Sequence, residues 1–495
     1  MYLIGYDIGS SSVKTAIIDA DSGRTLAVAS HPPLEMKIDA VQSGWAEQDP
    51  EMWWEAVCIT TKKVLYNTGI DPHDIKAVGI SYQMHGLVLV DKDQNVLRPS
   101  IIWCDSRAVE IGNRAFDALG QDFCNSCLLN SPGNFTASKL KWVKENEPEI
   151  FERIYKFMLP GDYIAMKLSG EINTTISGLS EGIFWDFRNG KVSDELMDYY
   201  GLSPEMLPDI IDTFGVQSVV NDVGEAETGL TKGTVIGYRA GDQPNNALSL
   251  RVFEPGEVAA TGGTSGVMYG ISDRLISDTQ YRTNAFAHVN HRNDNIRIGQ
   301  LLCINGAGSQ YAWIKKNISE EGWSYVDMED KISLLPVGSD GLRILPFGNG
   351  AERFLGNRLL GAQVNNLQFN RHGKTHLIRA ALEGIAFSFV YGFQVLKELA
   401  ITPSVIKVGN DNLFQSEIFS MTIANLLQCE IEMLNTTGAV GAAKASGISI
   451  GLYETPQEAI SSTKPVKVYY PSTDVNDYSE AYDLWKKDLL KILNN

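Results

Sequence analysis

The chain has 495 residues, 44% hydrophobic and 21% charged, the composition of a globular protein with room for two or three domains. Its formal net charge of −18 argues against nucleic acid and anionic membrane as general partners, yet leaves room for a local basic pocket. The start, Met1-Tyr2-Leu3-Ile4-Gly5, lacks the basic n-region of a signal peptide, and the most apolar helical run, Gly384 to Leu396, has 13 uncharged residues, too few to span a bilayer.

Residues 2–30 read as three short strands with turns at Gly9–Ser12 and Asp19–Gly23. Asp7 ends the first strand facing the serine-rich turn, where a carboxylate can hold Mg²⁺ through water. Lys14 suits a phosphate, or is simply a solvent-facing strand lysine. A helix follows the loop at Ser43–Gln48, with Asp49 as N-cap and Pro50 at the first helical position. Trp54, Val57, Cys58, Thr61 and Leu65 then fall on one face, and Trp53 and Trp54 read as packing. The strand Lys76–Ser81 delivers Gln83-Met84-His85-Gly86 at its end, and Leu97 to Trp103 leads into Cys104, Asp105, Ser106 and Arg107. Sites form at strand ends in α/β folds, so His85, Trp103, Asp105 and Arg107 are candidates for gripping a polyol. For His85 the alternative is a satisfied structural histidine. Residues 108–200 look mostly helical, with a Gly/Ser-rich stretch at Ser177–Trp185 that can help shape the site.

The middle of the chain carries the strongest signal. Arg239 to Gly266 places Gly241-Asp242-Gln243-Pro244-Asn245-Asn246 upstream of a short strand, Glu257–Ala260, which runs into Thr261-Gly262-Gly263-Thr264-Ser265-Gly266. Sliding Asp7–Val13 along by 254 residues lays Gly9 on Gly263, Ser10 on Thr264 and Ser11 on Ser265. Both stretches read strand, small hydroxyl-and-glycine turn, strand, in which backbone N–H groups can approach phosphate oxygens. Neither turn is a Walker A loop, which would enter a helix. The restart predicts two related domains, 1–245 and 246–495, clamping a nucleotide between them. Further on, Ile298–Gly308 and Gly341–Phe347 read as strands, Leu377–Leu399 as a long core helix, and Ile406–Gly409 as a strand before the polar turn Asn410-Asp411-Asn412. Gly438–Ala443 opens a small-residue helix, and residues 473–495 a closing one. The two polar turns can seat an adenine and its ribose, or serve backbone packing alone. The six cysteines are scattered, with Cys124 and Cys127 as a lone C-x-x-C, and read as thiols of a cytoplasmic protein.

Taken together the chain resembles the FGGY carbohydrate kinases of the actin-like ATPase superfamily, nearly end to end. Asp7–Lys14 is similar to that family's first phosphate motif, Gly262–Gly266 to the second, and Gly438–Ala443 to the second connecting motif. Asp242 stands where the family's catalytic aspartate would be. Gln83–Gly86, Trp45–Pro50 with Trp53-Trp54, and Leu97–Trp103 most resemble the xylulokinases within it. The resemblance has three departures. Gln243-Pro244-Asn245 follows Asp242 in place of Asn-Ala-Ala, Cys104 stands where Asn or Gln is usual, and Val408–Asn412 replaces a Gly-Gly-Gly-Ala run.

The resemblance implies an α/β fold of two actin-like, ribonuclease H-like ATPase domains around a central cleft, and ATP-dependent phosphorylation of a sugar hydroxyl with Mg²⁺. D-xylulose is the foremost substrate, with ribulose, fuculose or glycerol as alternatives. Asp242 would be general base, and Asp7 with Asp242 would orient the metal. Gly9, Ser10, Ser11, Lys14, Gly263, Thr264 and Ser265 would hold phosphates, with Gly409 and Asn410 on the adenosine side. Met84, His85 and Gln243 would position the sugar, with Trp103 and Asn134 as walls. Sugar and ATP are then the partners, with no nucleic acid or membrane and with a homodimer left open. A sugar sensor of this fold that binds ATP without turnover is the rival of a different class. A chaperone of the superfamily would need a peptide-binding domain, and nothing after residue 446 looks like one.

Overall fold

The structure is a computed structural model that describes residues 1–494. Two sheets share one plan. The first contains β1 (Tyr2–Ile8), β2 (Val13–Asp19), β3 (Thr25–His31), β4 (Ile75–Tyr82), β5 (Phe214–Val219) and β6 (Val235–Gly241), in the order β5-β6-β4-β1-β2-β3. The second contains β7 (Glu257–Gly262), β8 (Gly266–Ser272), β9 (Asn284–Ala287), β10 (Ile298–Ile304), β11 (Val405–Gly409), β12 (Glu430–Leu434) and β13 (Pro465–Tyr469), in the order β9-β10-β8-β7-β11-β12-β13.

In each sheet an antiparallel hairpin starts the pattern, β1–β2 in one and β7–β8 in the other. Its second strand pairs antiparallel with the next, β3 or β10. Its first strand begins a parallel run, β1-β4-β6 or β7-β11-β12, closed by an antiparallel edge strand, β5 or β13. The repeat predicted from two glycine-hydroxyl turns is therefore a repeat of topology, with the turns at the same corner of each sheet.

Seven helices position the site: α1 (Pro50–Thr68), α2 (Thr136–Asn146), α3 (Ile176–Glu181), α4 (Asp242–Ser249), α5 (Lys374–Glu398), α6 (Gly438–Ser446) and α7 (Asn476–Leu493). α1 begins as its sequence demands. The Asp49 carboxylate accepts the Glu51 N–H at 3.0 Å, Pro50 occupies the first turn, and Gly69 ends the helix in the left-handed region. Trp53 is fully buried on its inner face, where burying a large apolar side chain stabilises by about 1.5–3 kcal/mol. The long helix α5 runs through the second core, where Phe389, Phe414 and Phe419 meet edge to face with centroids 5.0–5.7 Å apart.

The halves interlock through α6, which follows the second sheet's β12 but packs on the first sheet. A Cβ on Gly5 would lie 2.0 Å from the Ala439 carbonyl oxygen, and one on Gly79 would lie 1.9 Å from that of Ala442. Only glycine on β1 and β4 admits the helix backbone this closely. α4 is tied to α6 by Asn245, whose buried amide donates to the Gly438 carbonyl at 3.0 Å. The expected division after residue 245 falls within α4. No helix among the described residues is long and apolar enough to cross a membrane.

Candidate active site

The two turns expected to hold phosphates are built alike. In the first, the Gly9 N–H closes on the Ser12 carbonyl at 3.0 Å. The Ser10 carbonyl accepts from the Gln48 side-chain amide at 2.7 Å, and the Ser11 carbonyl from the Met36 N–H at 2.8 Å. In the second, the Gly263 and Thr264 carbonyls accept from the N–H groups of Gly308 and Ser309, each at 3.0 Å. The N–H groups of Ser10, Ser11, Gly263, Thr264 and Ser265 have no acceptor among the described residues. Carbonyls tied to the scaffold and amides left open make a surface that attracts anions.

Two carboxylates stand at these turns. Asp7, at the end of β1, accepts from the Ser81 hydroxyl at 2.9 Å and pairs across the ladder with Lys14. Burial raises its carboxyl above the ordinary aspartate value. Asp242 begins α4 directly after β6. Burial first, and then repulsion from Asp7, push its carboxyl from 3.8 up to about 7. Paired acids whose charges oppose one another are the donor set that a divalent cation relieves, so the residues present fit Mg²⁺.

A cavity of about 210 Å³ opens beside them. Asp7 and Lys14 line it from the first sheet, Gln243 and Asn246 from α4, and Thr261, Gly409, Asp411, Asn412, Thr437 and Gly438 from the second half. Asn412 ties its wall to the second turn, accepting the Gly262 N–H at 3.3 Å and donating to the Thr261 hydroxyl at 3.3 Å. Of the pair expected on the adenosine side, Gly409 lines this cavity. Asn410 does not; it is exposed and its carbonyl accepts from Gln415 at 2.8 Å. Its neighbours Asp411 and Asn412 take the wall instead.

Of the residues expected to meet a sugar, Gln243 lines that cavity, whereas Met84, His85 and Asn134 gather around Gly241 and Phe135. The Met84 side chain and a Glu181 carboxylate oxygen pack against Gly241, 2.6 and 3.1 Å from where its Cβ would be. His85 sits beside them with φ 63°, its ring against Phe135 and Phe286 at 4.9 and 5.3 Å between centroids. Burial holds its imidazole down to about 3, so it is neutral. Asn134 precedes Phe135 and donates to the Asp105 carbonyl. Trp103 is 53% exposed, and its indole N–H reaches the Ser10 hydroxyl at 3.2 Å. It therefore lies over the first turn rather than beside His85.

Asp105 and Arg107 are not placed to grip a polyol. Arg107 binds the Asp105 carboxylate through Nε and Nη2, contacts Glu47 at 2.6 Å, and stacks 3.8 Å from the Trp45 ring. Both side chains are almost wholly buried. Their hydrogen-bonding capacity is spent on holding the Trp45 and Trp103 loops together. Conversely, Glu181 and Asp411 lie in stretches expected to shape the site but are not marked individually in the sequence, and Lys139 carries no signal. Glu181 and Lys139 are buried ionisable groups at the sugar side, where burial raises the carboxyl well above its ordinary value and lowers the amine to about 7, and nothing local marks a buried glutamate within a Gly/Ser-rich stretch.

Two sheets of one plan, each with a turn of open amides, and two carboxylates beside those turns make up the cleft. Residues 2–249 match the N-terminal domain of the FGGY family of carbohydrate kinases. A xylulose kinase of Bacillus subtilis (strain 168) is 27% identical over 98% of this chain and 96% of its own length. One of Streptomyces rubiginosus is 31% identical over 77% of this chain and 76% of its own. The crystal structure of a xylulose kinase from Rhodospirillum rubrum superposes over 100% of both chains with a TM-score of 0.87 at 24% identity, which establishes the fold. The chain belongs to the FGGY carbohydrate kinases and is an ATP-using sugar kinase.

Proposed function

We propose that this kinase phosphorylates a pentulose, D-xylulose to D-xylulose 5-phosphate, with Asp242 as general base. The observation that carries the catalytic part is the Asp242 carboxyl, set at about 7 by burial and by Asp7. It follows Gly241, against which Met84 packs, and it feels the charge of Asp7 at the first turn. A base poised near the working pH is the most effective acceptor for a hydroxyl proton. The choice of xylulose is supported by relatives named xylulose kinase that cover nearly the whole chain.

In this reading the sugar hydroxyl oxygen attacks the γ-phosphorus of ATP. The new O–P bond forms as the bond to the bridging oxygen breaks, ADP leaves with that electron pair, and the proton passes to Asp242. Such general-base help contributes about 10²–10⁴-fold. The amides of Ser10, Ser11, Gly263, Thr264 and Ser265 hold the phosphate oxygens, with Gly9 shaping the first turn and Lys14 adding charge. That alignment and charge neutralisation supplies most of the remaining acceleration. Asp7 and Asp242 would hold Mg²⁺, which when bound neutralises phosphate oxygens. Gln243 steadies the Asp242 carboxylate and, with Met84 and His85, positions the sugar. Gly409, Asp411 and Asn412 line the nucleoside side. The two halves, each built on one sheet, close to exclude water, in a cytoplasmic enzyme.

Mg-ATP-dependent ADP release against D-xylulose, D-ribulose, L-fuculose and glycerol tests the substrate. Turnover concentrated on D-xylulose, with ³¹P NMR showing a 5-phosphate, supports the reading. Preference for another member of the panel replaces xylulose while keeping the chemistry. ATP binding with no turnover on any sugar favours a sensor.

A further inference from the structure

We propose that Glu181 is a positioning residue of the sugar site, which clamps His85 from two sides and leaves its Nε2 free to accept a hydrogen bond from a sugar hydroxyl. This rests on the kinase reading above and adds to it the tautomer, the bond direction and the residue that imposes both.

His85 is a non-glycine residue at φ 63°. Such a conformation persists where its surroundings over-determine it, and here they do. The His85 N–H donates to Glu181 Oε2 at 2.9 Å, and the His85 carbonyl accepts from the buried Lys139 ammonium at 2.8 Å. Lys139 also donates to the Ile102 carbonyl at 2.9 Å. The backbone of His85 is thus held by a carboxyl on one side and an ammonium on the other.

The ring is held as firmly. Nδ1 lies 2.9 Å from the main-chain oxygen of Glu181. A carbonyl oxygen only accepts, so Nδ1 carries the proton. The imidazole is neutral because burial holds it at about 3, so Nε2 has a bare lone pair. Nε2 has no partner among the described residues, and the His85 side chain keeps 17% of its surface exposed. Phe135 and Phe286 close the ring's other approaches. The group facing Nε2 in the complex must therefore be a donor. A hydroxyl qualifies; a ketone oxygen or a methylene does not. The second Glu181 oxygen, Oε1, is buried without a partner and packs on Gly241, one residue before Asp242. One side chain thus links the sugar clamp to the start of the catalytic helix.

The test reads sugar KM, ATP KM and kcat for E181A, E181Q, H85A and the E181A/H85A pair. E181A is expected to raise sugar KM by about tenfold, the scale of one well-placed hydrogen bond, while ATP KM holds within about twofold. E181Q, whose amide oxygen can still accept the His85 N–H, should recover most of that affinity. In the double variant sugar KM should match H85A alone, because Glu181 acts through His85. Multiplying penalties, or equal shifts in ATP KM, would overturn the proposal. ¹⁵N-histidine spectra of the unaltered protein, assigned against H85A, supply a readout that needs no stable Glu181 variant. The Nδ1-protonated neutral tautomer, with Nε2 shifting when sugar is added, supports the clamp, and an Nε2-protonated ring overturns it. A wild type that turns over no sugar removes the kinase reading and this inference with it. A wild type that turns over normally beside an equally active E181A removes this inference alone.

Discussion

The Gly263 carbonyl accepts the Gly308 N–H at 3.0 Å, and a Cβ on Gly308 would lie 2.2 Å from that same oxygen. The second anion-binding turn is held by a close backbone approach that tolerates no side chain on its partner. Gly308→Ala must displace the turn, and ATP KM should rise by about tenfold or more, the scale of one hydrogen bond to phosphate. Sugar binding measured without nucleotide should stay the same. Steady-state kinetics with each substrate varied in turn checks this, and an unchanged ATP KM contradicts it.

Gln48 does for the first turn what Gly308 does for the second. Its amide donates to the Ser10 carbonyl at 2.7 Å and the Lys37 carbonyl at 3.1 Å, and its oxygen accepts the Trp53 indole N–H at 3.1 Å. Gln48→Leu leaves the buried Trp53 indole N–H without a partner, at about 1–3 kcal/mol, and releases the part-buried Ser10 and Lys37 carbonyls. Both lower thermal stability and higher ATP KM are expected, whereas Gly308→Ala shifts mainly the latter. Differential scanning calorimetry beside the kinetics separates the two.

Asp242 carries a pH signature with two opposite consequences. As the base it must be ionised, so kcat/KM for the sugar should fall as pH drops below about 7, the value to which its carboxyl is raised. Its folded value lies above the ordinary 3.8, so its contribution to stability is full below 3.8 and lost as pH rises through about 7. Asp242→Asn, neutral throughout, should therefore be more stable than the wild type at pH 8 and equal to it near pH 4. Asp242 is partly exposed to the cleft, so screening reduces the gain to about 1 kcal/mol, roughly 1 °C in melting temperature for a chain of this length. Melting curves at both pH values test the sign.

Arg107 makes the contrasting case. Arg107→Met leaves Asp105 buried and uncompensated, which costs about 3–5 kcal/mol. Urea unfolding should show that destabilisation, and the folded fraction should keep its sugar KM. A selective rise in sugar KM at unchanged stability would return Arg107 to the binding site.

Much of the fold is legible in the sequence because its signals are local. Asp49-Pro50 starts a helix wherever it occurs before an apolar face, and the two Gly-hydroxyl turns mark equivalent corners of a repeated sheet. Asp242 is legible from its distance to the second turn. What the sequence hides depends on neighbours distant along the chain. Asp105 and Arg107 look like ligands until Glu47 and Trp45 arrive from 60 and 62 positions before Arg107 to consume them. Glu181 looks like a loop residue until α3 carries it against His85, 96 residues earlier. Trp103 reads as a wall of the sugar site, and only its loop's path, which sets it over Ser10, shows which turn it covers. Asn410 and Asp411 are both polar turn residues, and only the turn's direction after β11 decides which of them faces the cavity.

The most direct test of the central claim is the single-turnover rate of phosphoryl transfer from Mg-ATP to D-xylulose in wild type and Asp242→Asn, with ATP affinity measured alongside. Transfer by the wild type is expected, with a fall of about 10²-fold or more in the variant and ATP affinity within about threefold of the wild type. Transfer by Asp242→Asn at a rate near that of the wild type would contradict the claim.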